Sequence, residues 1–394
     1  MKVLFGFFFW WIYEYYYDEK TTSDAFRFFD DGLILYDALK TNPLHYLQMI
    51  TGIYKPSADF DYYFYQMNNW YKPYEDSFYN DNRTIIRLNG FWAIFSFGNY
   101  HVHTVFAAFI SLIGSLGIFS FVKTHFSNNQ RYLLYLSVLF PSVIFWSSGV
   151  LKECYLFFIL GISLFFFSKI INEKFQIKNF VFLLVSLFFL VWIKIYVIIC
   201  LIPCLIVYYI NHHQNNHKTW QVYSVFFSAL FLLFLGIIFI FPEIEIIEKI
   251  VRKQNDFINM AEAYGAGSMF EMQRLDNNLI SLVKNIPNAL YNVFFRPSIF
   301  DLNKLIVAPA FLENIFVFIL YGVSFFYLQK KLQKKELNFL FFTIAFILML
   351  GTIIGLTTPV VGAIVRYRII FYPFLLILPF VYSNINQILI KLKK

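Results

Sequence analysis

The chain has 394 residues, of which 59% are hydrophobic and 14% charged, with a formal net charge of +8. Soluble domains carry about 25% charged residues, so this balance belongs to lipid rather than to an aqueous core. The positive charge builds no nucleic-acid face, because the lysines fall in short loops between apolar runs, as membrane orientation requires.

In chain order, the first apolar segment is 3–17. Lys2 precedes a clean run from Val3 to Tyr13, and Glu14-Tyr15-Tyr16-Tyr17 follows where a leader would carry a small-residue cleavage site. An uncleaved anchor with an aromatic belt is predicted. A long polar stretch, 18–100, comes next. It should hold a helix from Asp24 to about Leu39 with Ser23 as N-cap, an aromatic stretch at 59–65, and an interfacial helix from Thr84 to Phe97. Apolar segments follow at 102–122, 132–147, 154–171, 179–193, 195–211 and 221–241. Lys194 interrupts an apolar run from Phe180 to Ile210 that is too long for one helix, which predicts a tight hairpin with Lys194 at its turn. A second long stretch, 242–304, should carry helices at Ile244–Glu262 and Met269–Asn285, separated by Gly265 and Gly267. Three more apolar segments close the chain at 305–327, 338–356 and 369–387.

The expected fold is all-α: a polytopic transmembrane helix bundle of about ten spans in a single integral membrane domain, 1–394. Several of these spans are short of the ~20 residues that a ~30 Å hydrocarbon core takes. Cys154, Cys200 and Cys204 lie inside apolar segments, so neither a disulfide framework nor a zinc site is implied.

Lysine and arginine set the orientation. One alternate set of loops holds Lys2; Lys123 and Arg131; Lys169, Lys174 and Lys178; Lys218; Lys330, Lys331, Lys334 and Lys335; and Lys391, Lys393 and Lys394. The opposite set contains 18–100 and 242–304, where acids equal or outnumber bases. Short basic loops stay in the cytoplasm, so both termini are expected there and the two long loops outside, in the periplasm. The Phe, Ile, Lys, Asn and Tyr bias suggests an AT-rich bacterium, and hence a multi-pass protein of the bacterial inner membrane.

Charges near membrane depth default to a functional reading. Asp24, Asp30 and Asp31, with Asp59 and Asp61 further on, offer carboxylates for a general base or a divalent metal; the plain alternative for Asp24 is a solvated charge at a helix start. Lys152 and Glu153 follow a turn shaped by Pro141 and Gly149. There, and at Lys194, an ammonium can meet a lipid phosphate or merely snorkel to the headgroups. In Arg366-Tyr367-Arg368 the two guanidiniums point the same way if the chain is extended, and lie roughly 200° apart on a helix. Planar guanidinium forks suit phosphate; the alternative is a pair of interfacial anchors. Of Arg274, Arg296 and Lys304 in the second loop, Arg296 is the one retained as a candidate. The histidines at 101, 103, 212, 213 and 217 do not read as a metal site, and no P-loop, dinucleotide fingerprint or nucleophile elbow is present.

An anchor span, a large outer loop opening with Ser23-Asp24-Ala25, many further spans, and Arg366-Tyr367-Arg368 with Pro373 at the last one resemble the GT-C class of membrane glycosyltransferases. The stretch from Pro141 to Glu153 is similar to one in bacterial membrane proteins of surface-polysaccharide type. The resemblance implies a polyprenyl-phosphate-linked sugar as donor and a glycan, lipid or protein as acceptor. It also implies an outer acid as base, here Asp24, and basic residues on the lipid phosphate, here Arg366, Arg368 and Lys152. The class often has an Asp-Glu or Asp-Asp pair directly after the first span; here Asp24-Ala25 stands instead, with Asp30-Asp31 later. No cofactor is demanded, and a divalent metal stays open. Three rival readings are an O-antigen-type repeat-unit polymerase or ligase resting on Arg274 and Arg296, a transporter or flippase, and a noncatalytic membrane subunit of a surface-assembly complex.

Overall fold

The computed structural model describes residues 1–16, 23–71, 80–126, 130–214, 216–302, 304–328 and 331–383. Lys330, Lys391, Lys393 and Lys394 of the basic set, and the opening of the first long loop, lie outside them. The described residues are helical, with isolated bridges and no strand. They form two compact units, Met1–Val122 with Ser137–Ile198, and Lys123–Leu136 with Ile199–Lys394.

The first unit begins with α1 (Lys2–Tyr15), a helix of 14 residues. At 1.5 Å per residue it extends roughly 21 Å, short of the ~30 Å core. Lys2, counted above among the loop cations, is instead interior and 5% exposed, with Nζ donating to Ser147 Oγ at 2.8 Å and Ser111 Oγ at 3.1 Å. The first long loop then folds into α2 (Asp24–Thr41), α3 (Pro43–Thr51), α4 (Ala58–Phe64) and α5 (Asp81–Ser96). The helix expected at Asp24 is present, and Ser23 Oγ accepts from the Ala25 amide, which satisfies one of the donors a helix start leaves open. Helices α2 and α5 meet closely: a Cβ added at Gly32 would lie 2.6 Å from Asn89 Cβ. Trp70, fully buried, seals the loop, stacked on Phe64 at 4.1 Å with the Arg83 and Arg87 guanidiniums over its ring. Burying such a ring is worth about 2–3 kcal/mol.

Beyond the loop come α6 (Tyr100–Lys123), α7 (Gln130–Val138), α8 (Pro141–Ser148), α9 (Lys152–Asn172) and α10 (Ile177–Ile193). The expected segment 132–147 is broken in two because Pro141 disfavours a helical Phe140, whose ψ is 134°. Helices α6 and α9 cross through glycine: a Cβ on Gly161 would lie 1.9 Å from Gly114 O, and one on Gly117 2.4 Å from Gly161 O. Small residues let membrane helices approach this closely. Lys194 alone separates α10 from α11 (Ile195–His213), in extended conformation at φ −155°.

The second unit continues with α12 (Thr219–Ile240), α13 (Ile246–Ala263), α14 (Leu279–Phe295), α15 (Ala308–Phe325), α16 (Lys334–Thr357), α17 (Val361–Arg368) and α18 (Tyr372–Tyr382). The expected break at Gly265 occurs, at φ +58°, a conformation glycine adopts freely. The helix expected at Met269–Asn285 does not form as read. Residues 269–276 form no helix, with Phe270 N donating to Pro359 O at 3.0 Å and Val361 N to Ser268 O at 2.9 Å. The helix starts ten residues later, where Asn278 Oδ1 caps the Ser281 amide.

Among the described residues, six helices are long and apolar enough to cross a membrane: α6, α9, α11, α12, α16, and α15 with the turn before it. The pair α17 and α18, bent by 61°, makes a seventh if counted as one broken span. The chain is a helical membrane protein. Of the ten segments expected, α1 and α10 are short, 132–147 is broken, and the described part of 369–387 holds only the 11-residue α18, set at 61° to α17, which accounts for the lower number.

Candidate functional site

The candidate residues fall in both units. In the first, Lys152 opens α9 and is 7% exposed. Its ammonium reaches Asp81 Oδ2 and Asn82 Oδ1, each at 2.5 Å, and lies 5.2 Å from the Phe28 ring. The next residue, Glu153, is fully buried and accepts from Lys194 Nζ at 3.2 Å; Lys194 is 6% exposed. Thus both candidate ammonium groups of this unit already meet a carboxylate. Neither snorkels, and the two pairs tie α5 to α9 and α9 to the α10–α11 break. Asp81 and Asn82 were not singled out from sequence, which started their helix at Thr84; the run Asn80-Asp81 before a periodic stretch was the available cap signal.

The three candidate acids of α2 differ. Asp31 is fully buried and its two oxygens accept from Asn68 N at 2.7 Å, Asn68 Nδ2 at 3.1 Å and Asn69 N at 2.8 Å. Burial raises its carboxyl above the ordinary value of 3.8, opposed by those amide donors and helped by the Asp30 charge. It therefore fastens the chain after α4 onto α2. Asp24 and Asp30 are exposed. Among the described residues no group of three or more His, Cys, Asp and Glu is placed to hold a metal.

In the second unit, Arg366 and Arg368 lie on α17, so the helical alternative holds and their side chains diverge. Arg366 sits 5.7 Å from the Tyr367 ring. Arg368 is 1% exposed, the second largest wholly buried side chain after Trp70. Its Nη1 donates to Arg296 O at 2.8 Å and lies 3.4 Å from Val293 O, and its guanidinium rests 4.8 Å from the Tyr372 ring. Its Nε and Nη2 are buried without a hydrogen-bond acceptor among the described residues. Arg296 is engaged differently: it pairs with Asp301, donates Nε to Asn292 Oδ1 at 3.1 Å, and covers the Phe270 ring at 4.2 Å.

One cation of the candidate set is thus held by carbonyl oxygens and a ring, and the rest that have ion pairs are neutralised locally. Backbone carbonyls carry partial charge only, so a guanidinium so placed keeps most of its positive field and two unused donors. That arrangement suits an anion with several oxygens. No family model, curated protein or solved structure matches the chain.

Proposed function

We propose that the chain is a membrane glycosyltransferase that moves a sugar from a polyprenyl-phosphate carrier to an outer-face acceptor, which is a glycan, a lipid or a protein. The observation that carries this reading is Arg368, a buried guanidinium with two unused donors beside the bend of α17 and α18. A cation this costly to bury is retained for a ligand or a switch rather than for stability. In the reaction, the acceptor oxygen attacks the anomeric carbon and the bond from that carbon to the phosphate oxygen breaks. The electron pair leaves on the phosphate, where fixed cations stabilise it. The acceptor proton passes to a carboxylate. Of the candidate acids on α2, Asp24 and Asp30 are accessible, whereas the oxygens of Asp31 are taken by Asn68 and Asn69. Arg366, two residues before Arg368, adds positive field, while Arg296, neutralised by Asp301, contributes the carbonyl that holds Arg368. Lys152 and Lys194 act by holding α5, α9 and the α10–α11 break, with Glu153 and Asp81 as their counter-charges.

A second reading, a repeat-unit polymerase or ligase, draws on the bond from Arg368 to the Arg296 carbonyl, which couples the buried cation to the second long loop.

The test is Arg368→Ala and Asp24→Asn in cells whose surface glycan is compared with a deletion strain, with membrane levels of each variant measured. Loss of the glycan in both, at normal protein levels, supports transfer from a phosphate carrier. Normal glycan in both removes it. Loss in Arg368→Ala with full activity in Asp24→Asn and Asp30→Asn favours the polymerase reading.

A further inference from the structure

Within the second unit, α13, residues 271–273, α14 and the end of α16 enclose a cleft of about 230 Å³. Amide side chains supply much of its wall: Gln254, Gln273, Asn285 and Asn288 line it, with Glu271 and Tyr291, beside apolar Met272 and Leu356. The scaffold beneath is rigid. Gln254, 1% exposed, donates to Gln273 O at 3.2 Å and Leu356 O at 2.9 Å and accepts from Leu275 N at 2.8 Å, locking that segment to the end of α16. At the back, α14 and α16 touch through backbone, since a Cβ on Gly355 would lie 2.1 Å from Ala289 O.

The groups above that scaffold stand open. Glu271, Asn288 and Tyr291 are exposed, and no hydrogen bond within the chain holds the Glu271 carboxylate or the Asn288 amide among the described residues. Tyr291 stacks on Phe295 at 5.2 Å and 14°, and Phe295 on Phe318 at 5.2 Å, so the ring is held as one end of an aromatic row. Amides that donate and accept side by side, a carboxylate, and a fixed aromatic face are the groups that recognise a polyhydroxylated ring. Hydroxyls pair with amides and carboxylate, while the C–H face of the sugar lies on the aromatic face. No Lys or Arg lines the cleft, so a phosphate is not what it fits.

We infer that this cleft binds a saccharide, an uncharged or cationic sugar unit of the acceptor glycan, with Glu271, Asn288 and Tyr291 as the contacting side chains. Only the word acceptor rests on the transferase reading; saccharide binding itself does not. The experiment is titration of the purified full chain in detergent with oligosaccharides released from the source cell's surface glycan, followed by saturation-transfer NMR and calorimetry. Wild type should bind, and Asn288→Leu and Tyr291→Ala should each weaken binding at least tenfold with unchanged melting temperature. Glu271→Gln, the mildest change, should weaken it severalfold. Arg368→Ala should bind saccharide normally, so a failure of the transferase reading leaves this result standing. No binding by wild type, or equal binding by all three cleft variants, overturns the inference.

Discussion

The buried candidate cations of the two units are held in different ways. In the first, Lys152 and Lys194 each lie against a carboxylate, Asp81 and Glu153, while Lys2 meets the hydroxyls of Ser111 and Ser147. In the second, Arg368 meets carbonyl oxygens and the Tyr372 ring, a ring that also feels the buried Glu313 carboxylate, and two of its nitrogens have no hydrogen-bond acceptor among the described residues. The difference separates charge used to assemble helices from charge kept in reserve. A neutralised pair resists disruption; an unanswered cation attracts an anion.

Substitution breaks this contrast most sharply at Glu153. Glu153→Ala leaves the Lys194 ammonium buried without its partner and should cost about 3–5 kcal/mol, read as a fall in detergent melting temperature or membrane yield. Wild-type stability in that variant would show the pair to be idle. Arg368→Met is expected to do the reverse, holding or raising stability by up to about 2 kcal/mol while abolishing glycan transfer, because an unpaired buried charge is replaced by an apolar chain of similar length. Should Arg368→Met unfold the protein, the cation is structural and the contrast fails.

Smaller effects refine the picture. Gly161→Ala, which would force a Cβ to 1.9 Å from Gly114 O, should cost about 1–3 kcal/mol. Gly351→Ala should be neutral or stabilise by about 0.5–1 kcal/mol, since a Cβ there would meet its nearest atoms at 3.7 Å. Thermal unfolding of the two variants side by side decides it. The smallest effect is a pH slope. Because burial raises the folded Asp31 carboxyl above 3.8, the folded state keeps this proton longer than the unfolded chain. Its contribution is therefore fully present below 3.8, falls as pH rises through the folded value, and is flat above it. Asp31→Asn should flatten that part of the stability profile; an unchanged slope would assign it to another group.

Local signals in the sequence carried well and distant ones did not. Ser23 before a periodic stretch announced α2, and Gly265 announced the end of α13, because caps and breaks are encoded within a few residues. The helix at Met269–Asn285 failed because Met269 and Phe270 find their partners at Pro359–Val361, about ninety positions away, and Gln273 and Leu275 find theirs on Gln254. Whether Arg366 and Arg368 diverge depended on backbone conformation, which composition left open. The pairs Lys152–Asp81 and Glu153–Lys194 join residues 71 and 41 positions apart, and no spacing rule reaches that far.

Helix α12 is apolar along its length yet almost none of it is covered by the rest of the chain, with Val225, Leu232 and Phe239 at least two-thirds exposed; α9, of similar composition, is two-thirds covered. A saturation scan would therefore give the two helices different tolerance profiles. Substitutions at the uncovered positions of α12 should sort by oil-water partition, with Leu, Ile, Val and Phe interchangeable. Those in α9 should sort by volume at each site, so equally greasy residues would score apart.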